Sequence, residues 1–153
     1  MLKLLMLASK PHDAVLGVIP GTDGFTSIAE DPAAKSIPGV VVYRFDSSLL
    51  FFNADYFANR VRQVIREADR RPDSFVLDAE AMPILDTTGA DVLESLRAEL
   101  LKQRTAFSIA RPKGWFRIML DRTGLADQIG REHLFASIKA AVEAASAKKE
   151  GTI

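Results

Sequence analysis

The sequence contains no cysteine, which removes a disulfide framework, a thiolate nucleophile and any cysteine-based zinc site, and is compatible with a reducing compartment. Histidine is nearly as scarce. The two present, His12 and His133, stand in a loop-like stretch and near the start of the last helical pattern. Neither HExxH nor another close ligand spacing occurs, so no histidine metal centre is expected. The GxSxG elbow of serine hydrolases is missing, as are the GxxxxGK[ST] and GxGxxG phosphate loops. The GTDG turn at 21–24 is too short to replace them. Acidic residues are plentiful, but none forms a visible acid/base pair in an apolar setting. Charge of one sign is also lacking: 20 Lys and Arg balance 20 Asp and Glu for a formal net charge of zero. Broad electrostatic attraction to nucleic acid or anionic lipid is therefore not expected. Finally, no apolar run approaches the ~20 residues that span a bilayer. The opening MLKLLMLASK has too short an apolar segment for a secretory signal and no clear cleavage pattern. Residues 1–12 are read as a linker or added segment, or as the tail of a preceding hydrophobic domain.

What is present is one domain's worth of alternating patterns in 153 residues. Val15 to Ile19 is β-rich and stops at Pro20-Gly21, and Phe25 to Ile28 continues extended beyond the GTDG turn. Val40 to Phe45 (VVVYRF) is a strong strand pattern, and Asp46-Ser47-Ser48 followed by SLLFF predicts a hairpin. Ser74 to Ala79 and Ala106 to Ala110 predict two further strands, each followed by a helix. Asn53 is placed to cap a helix with Phe57, Val61, Ile65 and Ala68 on one stripe, ended by Arg71-Pro72. A second helix carries Leu93, Leu96 and Leu100, widened by Val92 and Leu101. A third runs from about Gly114 through Leu120, and a fourth has Leu134, Ile138, Val142 and Ala145 at helical spacing. Residues 146–153 lose the rhythm and are read as a flexible tail. Right-handed crossovers make the last three strands parallel, so the expectation is an α/β fold: a mixed β-sheet with helices packed over it.

Two stretches invite a functional reading. NRVRQVIREADRR, from Asn59, alternates arginines with buried positions and acids, as a solvated helix face with helix-spaced ion pairs does. It lacks interleaved aromatics for base stacking. The other reading of that face is a docking surface for an acidic or membrane-associated partner. PILDTTGADVLESL, from Pro83, passes from an apolar run to a helix start. There the Thr88 hydroxyl is placed to accept from the Asp91 amide, with Asp91 reaching back in a capping box. The free amides of that first turn form a positive end suited to phosphate.

DTTGADVL after an apolar strand resembles the D-[ST]-[ST]-G signature of STAS domains, the fold shared by anti-sigma factor antagonists and the cytoplasmic tails of SulP-type sulfate permeases. PGTDGF and LFFNADYF are similar to the start of the permease branch, and the resemblance covers roughly Asp13 to Ala145. It implies a STAS-like mixed sheet, and a non-catalytic regulatory and docking domain of a sulfate-permease-like anion transporter. The implied location is the cytoplasmic side of an inner (plasma) membrane protein. Its partners would be the parent's transmembrane domain and a regulatory protein, with no nucleic acid. It further implies weak GTP or ATP binding in the strand-helix loops, with no cofactor required. The matching positions are Asn53 and Ala54, Asp86, Thr87, Thr88 and Gly89, and Arg111, Pro112 and Lys113. In the antagonists the hydroxyl before the glycine is the kinase target, which makes Thr88 the candidate phosphorylation position, with threonine where antagonists commonly have serine. The alternatives left open are a freestanding antagonist regulated by phosphorylation and a weak nucleotide hydrolase.

Overall fold

The computed structural model describes residues 10–151. The apolar opening at residues 1–9 and the last two residues of the tail lie outside the described residues. The chain runs β1 (Asp13–Val18), β2 (Phe25–Ser27), β3 (Val40–Phe45), α1 (Ala54–Glu67), β4 (Ser74–Asp78), α2 (Thr87–Lys102) and β5 (Ala106–Ala110). It continues through α3 (Gly114–Arg122), α4 (Leu125–Ile129), a 3-10 turn (Arg131–His133), β6 (Leu134–Phe135) and α5 (Ile138–Glu150). One six-stranded sheet has the order β2-β1-β3-β4-β5-β6. β1 is antiparallel to both β2 and β3, and β3 to β6 are parallel. The expected mixed α/β sheet is therefore present.

Each step from β3 to β6 moves one strand in the same direction. Right-handed crossovers then put all the intervening helices on one face. That face carries the main core, where Phe57 and Val61 of α1 and Leu93, Leu96 and Leu100 of α2 meet Tyr43, Phe45, Phe75 and Phe107 of the sheet. Phe45 and Phe57 pack edge to face at 5.0 Å between ring centroids, and full burial of one such ring contributes about 2–3 kcal/mol. The other face is covered by α5, whose Ile138 and Ala141 lie on Leu16, Val42, Val76 and Ala110. Covering on both sides explains why β4, SFVLD, is buried at every position and shows no two-residue alternation.

The first strand is fastened by a polar cluster. Asp13 accepts hydrogen bonds from the Tyr43 hydroxyl at 2.6 Å and from Arg60 of α1 at 2.6 Å. Burial would raise the Asp13 carboxyl, but these two donors and the Arg60 charge outweigh it and hold the group below its ordinary value.

Four sequence expectations change. The hairpin after β3 does not form, because both edges of β3 are already taken by β1 and β4. The SLLFF run is instead a loop that folds back over the strand ends, with Leu49 buried and forming a single parallel bridge to Leu85. Leu134 belongs to β6 rather than to the last helix. That helix starts after Ser137, whose hydroxyl accepts from the Ala140 amide at 3.0 Å. Leu101 does not widen the buried stripe of α2 but is 58% exposed. The short α4 carries no long pattern and was not anticipated; it closes the core with Leu125, Ala126 and Ile129.

Candidate functional site

Three loops meet at the carboxyl ends of β3, β4 and β5, and these loops together with the first turns of α1 and α2 contain every site position singled out from the sequence. The loops are joined by backbone hydrogen bonds. Leu49 donates to the Ile84 carbonyl at 3.0 Å, Asp86 to the Leu49 carbonyl at 3.2 Å, and Phe116 to the Pro83 carbonyl at 3.2 Å. The rim is thus a single bonded unit rather than three separate turns.

Asn53 precedes α1, but its side chain makes no cap bond. Its carbonyl oxygen accepts from the Leu50 amide at 2.9 Å and its amide donates to the Ser48 carbonyl at 2.8 Å. Asn53 and Ala54 are both buried, so they shape the loop from inside.

At DTTG the helix cap falls two residues earlier than the expected Thr88. Asp86, with extended backbone, is the N-cap, and its Oδ1 accepts from the Gly89 amide at 2.7 Å. Its Oδ2 accepts from the Phe51 amide at 2.8 Å, tying two loops together. The expected Thr88–Asp91 capping box is therefore corrected: Asp, Thr and Thr are all able to cap, and the loop contact to Phe51 selects the first. Thr87 and Thr88 are left exposed in the first turn. Asp86→Ala is expected to cost about 1–2 kcal/mol, whereas Thr88→Ala should change stability by less than about 0.5 kcal/mol; urea unfolding of the two variants separates them.

The third loop is governed by an acid hidden in β4. Asp78 is fully buried and is held by Arg111 through Nε at 3.0 Å and Nη2 at 2.7 Å. This hydrogen-bonded pairing, working against burial, raises the Arg111 pKa above its ordinary value. Arg111 adopts φ 58°, a left-handed backbone that aims its side chain back at β4. Beyond the buried Pro112, Lys113 reaches Glu80 at 2.6 Å. The Lys113 hydrogen bond lowers the Glu80 pKa. Both cations expected to hold phosphate are engaged by carboxylates. Asp86 likewise places negative charge at the positive end of α2. Asp78 and Glu80 escaped notice in the sequence, although an acid inside a fully apolar strand run was a visible signal that a cation must come to it.

The rim also displays apolar groups. Phe51 is 72% and Trp115 57% exposed, with Phe52 and Ile84 also exposed, and Phe51 and Phe52 meet edge to face at 5.5 Å. A cleft of about 520 Å³ lies at the opposite end of the sheet, lined by Gly39, Val40, Val64 and Pro72. Among the described residues no cluster of three or more His, Asp or Glu could hold a metal ion, and no helix is long and apolar enough to cross a membrane.

Residues 31–141 match the STAS domain family. The chain belongs to that family. Over 143 residues it is 41% identical to a probable sulfate transporter of Mycobacterium tuberculosis, covering 94% of this chain and 26% of that protein. Over 154 residues it is 33% identical to sulfate transporter 1.3 of Arabidopsis thaliana, covering 95% and 24% respectively. The chain thus spans about a quarter of the length of these relatives. In fold, the STAS domain superposes with a TM-score of 0.87 on the murine Solute Carrier 26 family member A9 anion transporter in its inward-facing state. That match is at 21% identity and covers 95% of this chain and 24% of that one. An anti-sigma factor antagonist of Mycobacterium paratuberculosis shares the fold with a TM-score of 0.61 at 20% identity, covering 73% of this chain and 90% of that one. The STAS resemblance and the sulfate-transporter relationship read from the sequence both hold.

Proposed function

We propose that this STAS domain is the non-catalytic regulatory and docking domain of a sulfate-permease-like anion transporter. It would work at the cytoplasmic side of the membrane against the parent's transmembrane part. The observation that carries the reading is the 41% identity over 94% of the chain to one quarter of a probable sulfate transporter. Support for a non-catalytic role comes from the rim itself. Its Asp78, Glu80 and Asp86 carboxylates are engaged in holding loops together, which leaves them poorly placed for proton transfer. In the parent transporter, removal of residues 13–145 is expected to abolish or deregulate sulfate uptake while leaving the protein in the membrane. Uptake per membrane-inserted molecule equal to that of the intact protein would overturn the proposal.

Nucleotide binding at this rim is proposed to be weak, because a phosphate would compete with Asp78 for Arg111, with Glu80 for Lys113 and with Asp86 for the amides of α2. Titration of the domain with labelled GTP and ATP should give dissociation constants no tighter than about 1 mM, roughly −4 kcal/mol, without turnover. Tight magnesium-dependent binding would count against this. The exposure of Thr88 keeps it available as a modified position. Thr88→Asp should leave stability unchanged, since acid is favourable in a first helical turn. If the position is regulatory, the same variant should alter uptake by the parent protein.

A further inference from the structure

The apolar groups of the rim stay open to solvent although Phe51 and Phe52 touch each other and the Arg122 guanidinium lies 5.7 Å from the Trp115 ring. Phe51 and Phe52 come from the loop after β3, Ile84 from the loop after β4, and Trp115 and Ile118 from α3, all exposed by 41% or more. The hydrogen bonds of Phe51 to Asp86, Leu49 to Ile84 and Phe116 to Pro83 fix these three sources relative to one another. They therefore present a preformed surface with little ordering cost, of the aromatic kind that anchors interfaces. Single exposed apolar residues are ordinary, but a set gathered at one end of a sheet marks an interaction site.

Two further observations select the occupant. The described chain enters the fold at this same end: Asp13 pairs with Phe45, the last residue of β3, and the His12 carbonyl accepts from Asp46 at 2.9 Å. The patch residues themselves are uncharged and Lys113 is held by Glu80. The exposed Arg117 and Arg122 of α3 flank Trp115, Arg122 at 5.7 Å from its ring, a basic edge short of the roughly four to eight cations that recognition of anionic lipid takes. We infer that the Phe51, Phe52, Ile84 and Trp115 rim is the face on which the domain docks against an apolar cytoplasmic surface of its parent's transmembrane part. This rests on the transporter reading above, in which the membrane part joins through the chain ahead of Asp13.

The test uses the full-length parent protein in membranes, with p-benzoylphenylalanine introduced at Thr87, exposed among these groups, or at Leu101. Leu101 is an equally exposed apolar position roughly 21 Å away along α2 at ~1.5 Å per residue. Irradiation is expected to link Thr87 to peptides of the transmembrane part and Leu101 far less. Phe51→Ser combined with Trp115→Ser should cut the Thr87 yield about tenfold, as loss of central aromatic anchors does, with the isolated domain still unfolding at the parent's midpoint. Equal yields from Thr87 and Leu101, linkage to lipid, or linkage to a second copy of the domain would each overturn the inference. Failure of the transporter reading looks different. Uptake indifferent to removal of residues 13–145, with Thr87 still linked to the membrane part, would overturn the regulatory role and keep the docking face. Uptake lost on removal, with equal yields from Thr87 and Leu101, would do the reverse.

Discussion

Arg111→Ala is expected to destabilise the domain by about 3 kcal/mol, the low end of the cost of removing one partner of a buried ion pair. Asp78 is completely buried and takes both its strong donors from Arg111. Truncation would therefore leave a carboxylate in the sheet without its counter-charge. The low end applies because the Arg111 side chain is 35% exposed, so water can enter the space it vacates. With a urea dependence of about 2 kcal/mol per molar for a domain of this size, the midpoint should fall by roughly 1.5 M. Backbone conformation adds a second comparison. At φ 58° alanine inherits the left-handed strain and glycine does not, so Arg111→Gly should be about 1 kcal/mol more stable than Arg111→Ala. Asp78→Asn introduced into Arg111→Ala removes the stranded charge and should recover part of the loss. Lys113→Ala should leave the midpoint in place, since its partner Glu80 sits at the surface. An Arg111→Ala midpoint matching that of Lys113→Ala would show that this ion pair does not hold the rim together.

The same pair illustrates what could and could not be read in advance. The strands at Ser74–Asp78 and Ala106–Ala110 were legible because each is a short apolar run bounded by polar or proline residues. The helices were legible because Phe57 and Val61, and Leu93, Leu96 and Leu100, recur with the helical period. The loop at 48–52 was misread because apolar content reports burial and not hydrogen bonding, and Leu49 is buried without being a strand residue. The two-residue β6 is too short to carry any period, and its Leu134 falls by chance four residues before Ile138. At the site, DTTG announced a helix start, but which of three capping residues takes the cap depends on Phe51, 35 positions away. Arg111 and Lys113 looked like free cations because their partners Asp78 and Glu80 lie 33 positions earlier. Local chemistry was visible in the sequence; pairing across the sheet was not.

Gly89→Ala is expected to destabilise the domain by about 2 kcal/mol, opposite in sign to the usual effect. At an unencumbered helical position alanine is better than glycine by about 1 kcal/mol, and Gly89 lies in the first turn of α2. Its surroundings reverse that preference. A Cβ there would stand 2.5 Å from the Leu49 carbonyl oxygen, 3.1 Å from its carbon and 2.9 Å from Leu85 Cδ1. The obstructing atoms are largely backbone and cannot rotate away, and overpacking of this kind costs typically 1–3 kcal/mol. Leu49 has little freedom to move, being buried and bonded to Ile84 and Asp86 on either side of its peptide. Relief must come by displacing the 48–53 loop from the start of α2, which would also strip the Phe51 amide from Asp86. Hydrogen exchange should therefore quicken at the Leu49 and Phe51 amides in Gly89→Ala beyond any general loss of protection, while Thr88→Ala, one residue earlier and exposed, leaves both unchanged. The glycine of the DTTG signature would then be explained by the close approach of helix and loop rather than by a ligand. A Gly89→Ala domain as stable as its parent, with unaltered exchange at Leu49 and Phe51, would remove that explanation and return the glycine to the nucleotide-binding alternative.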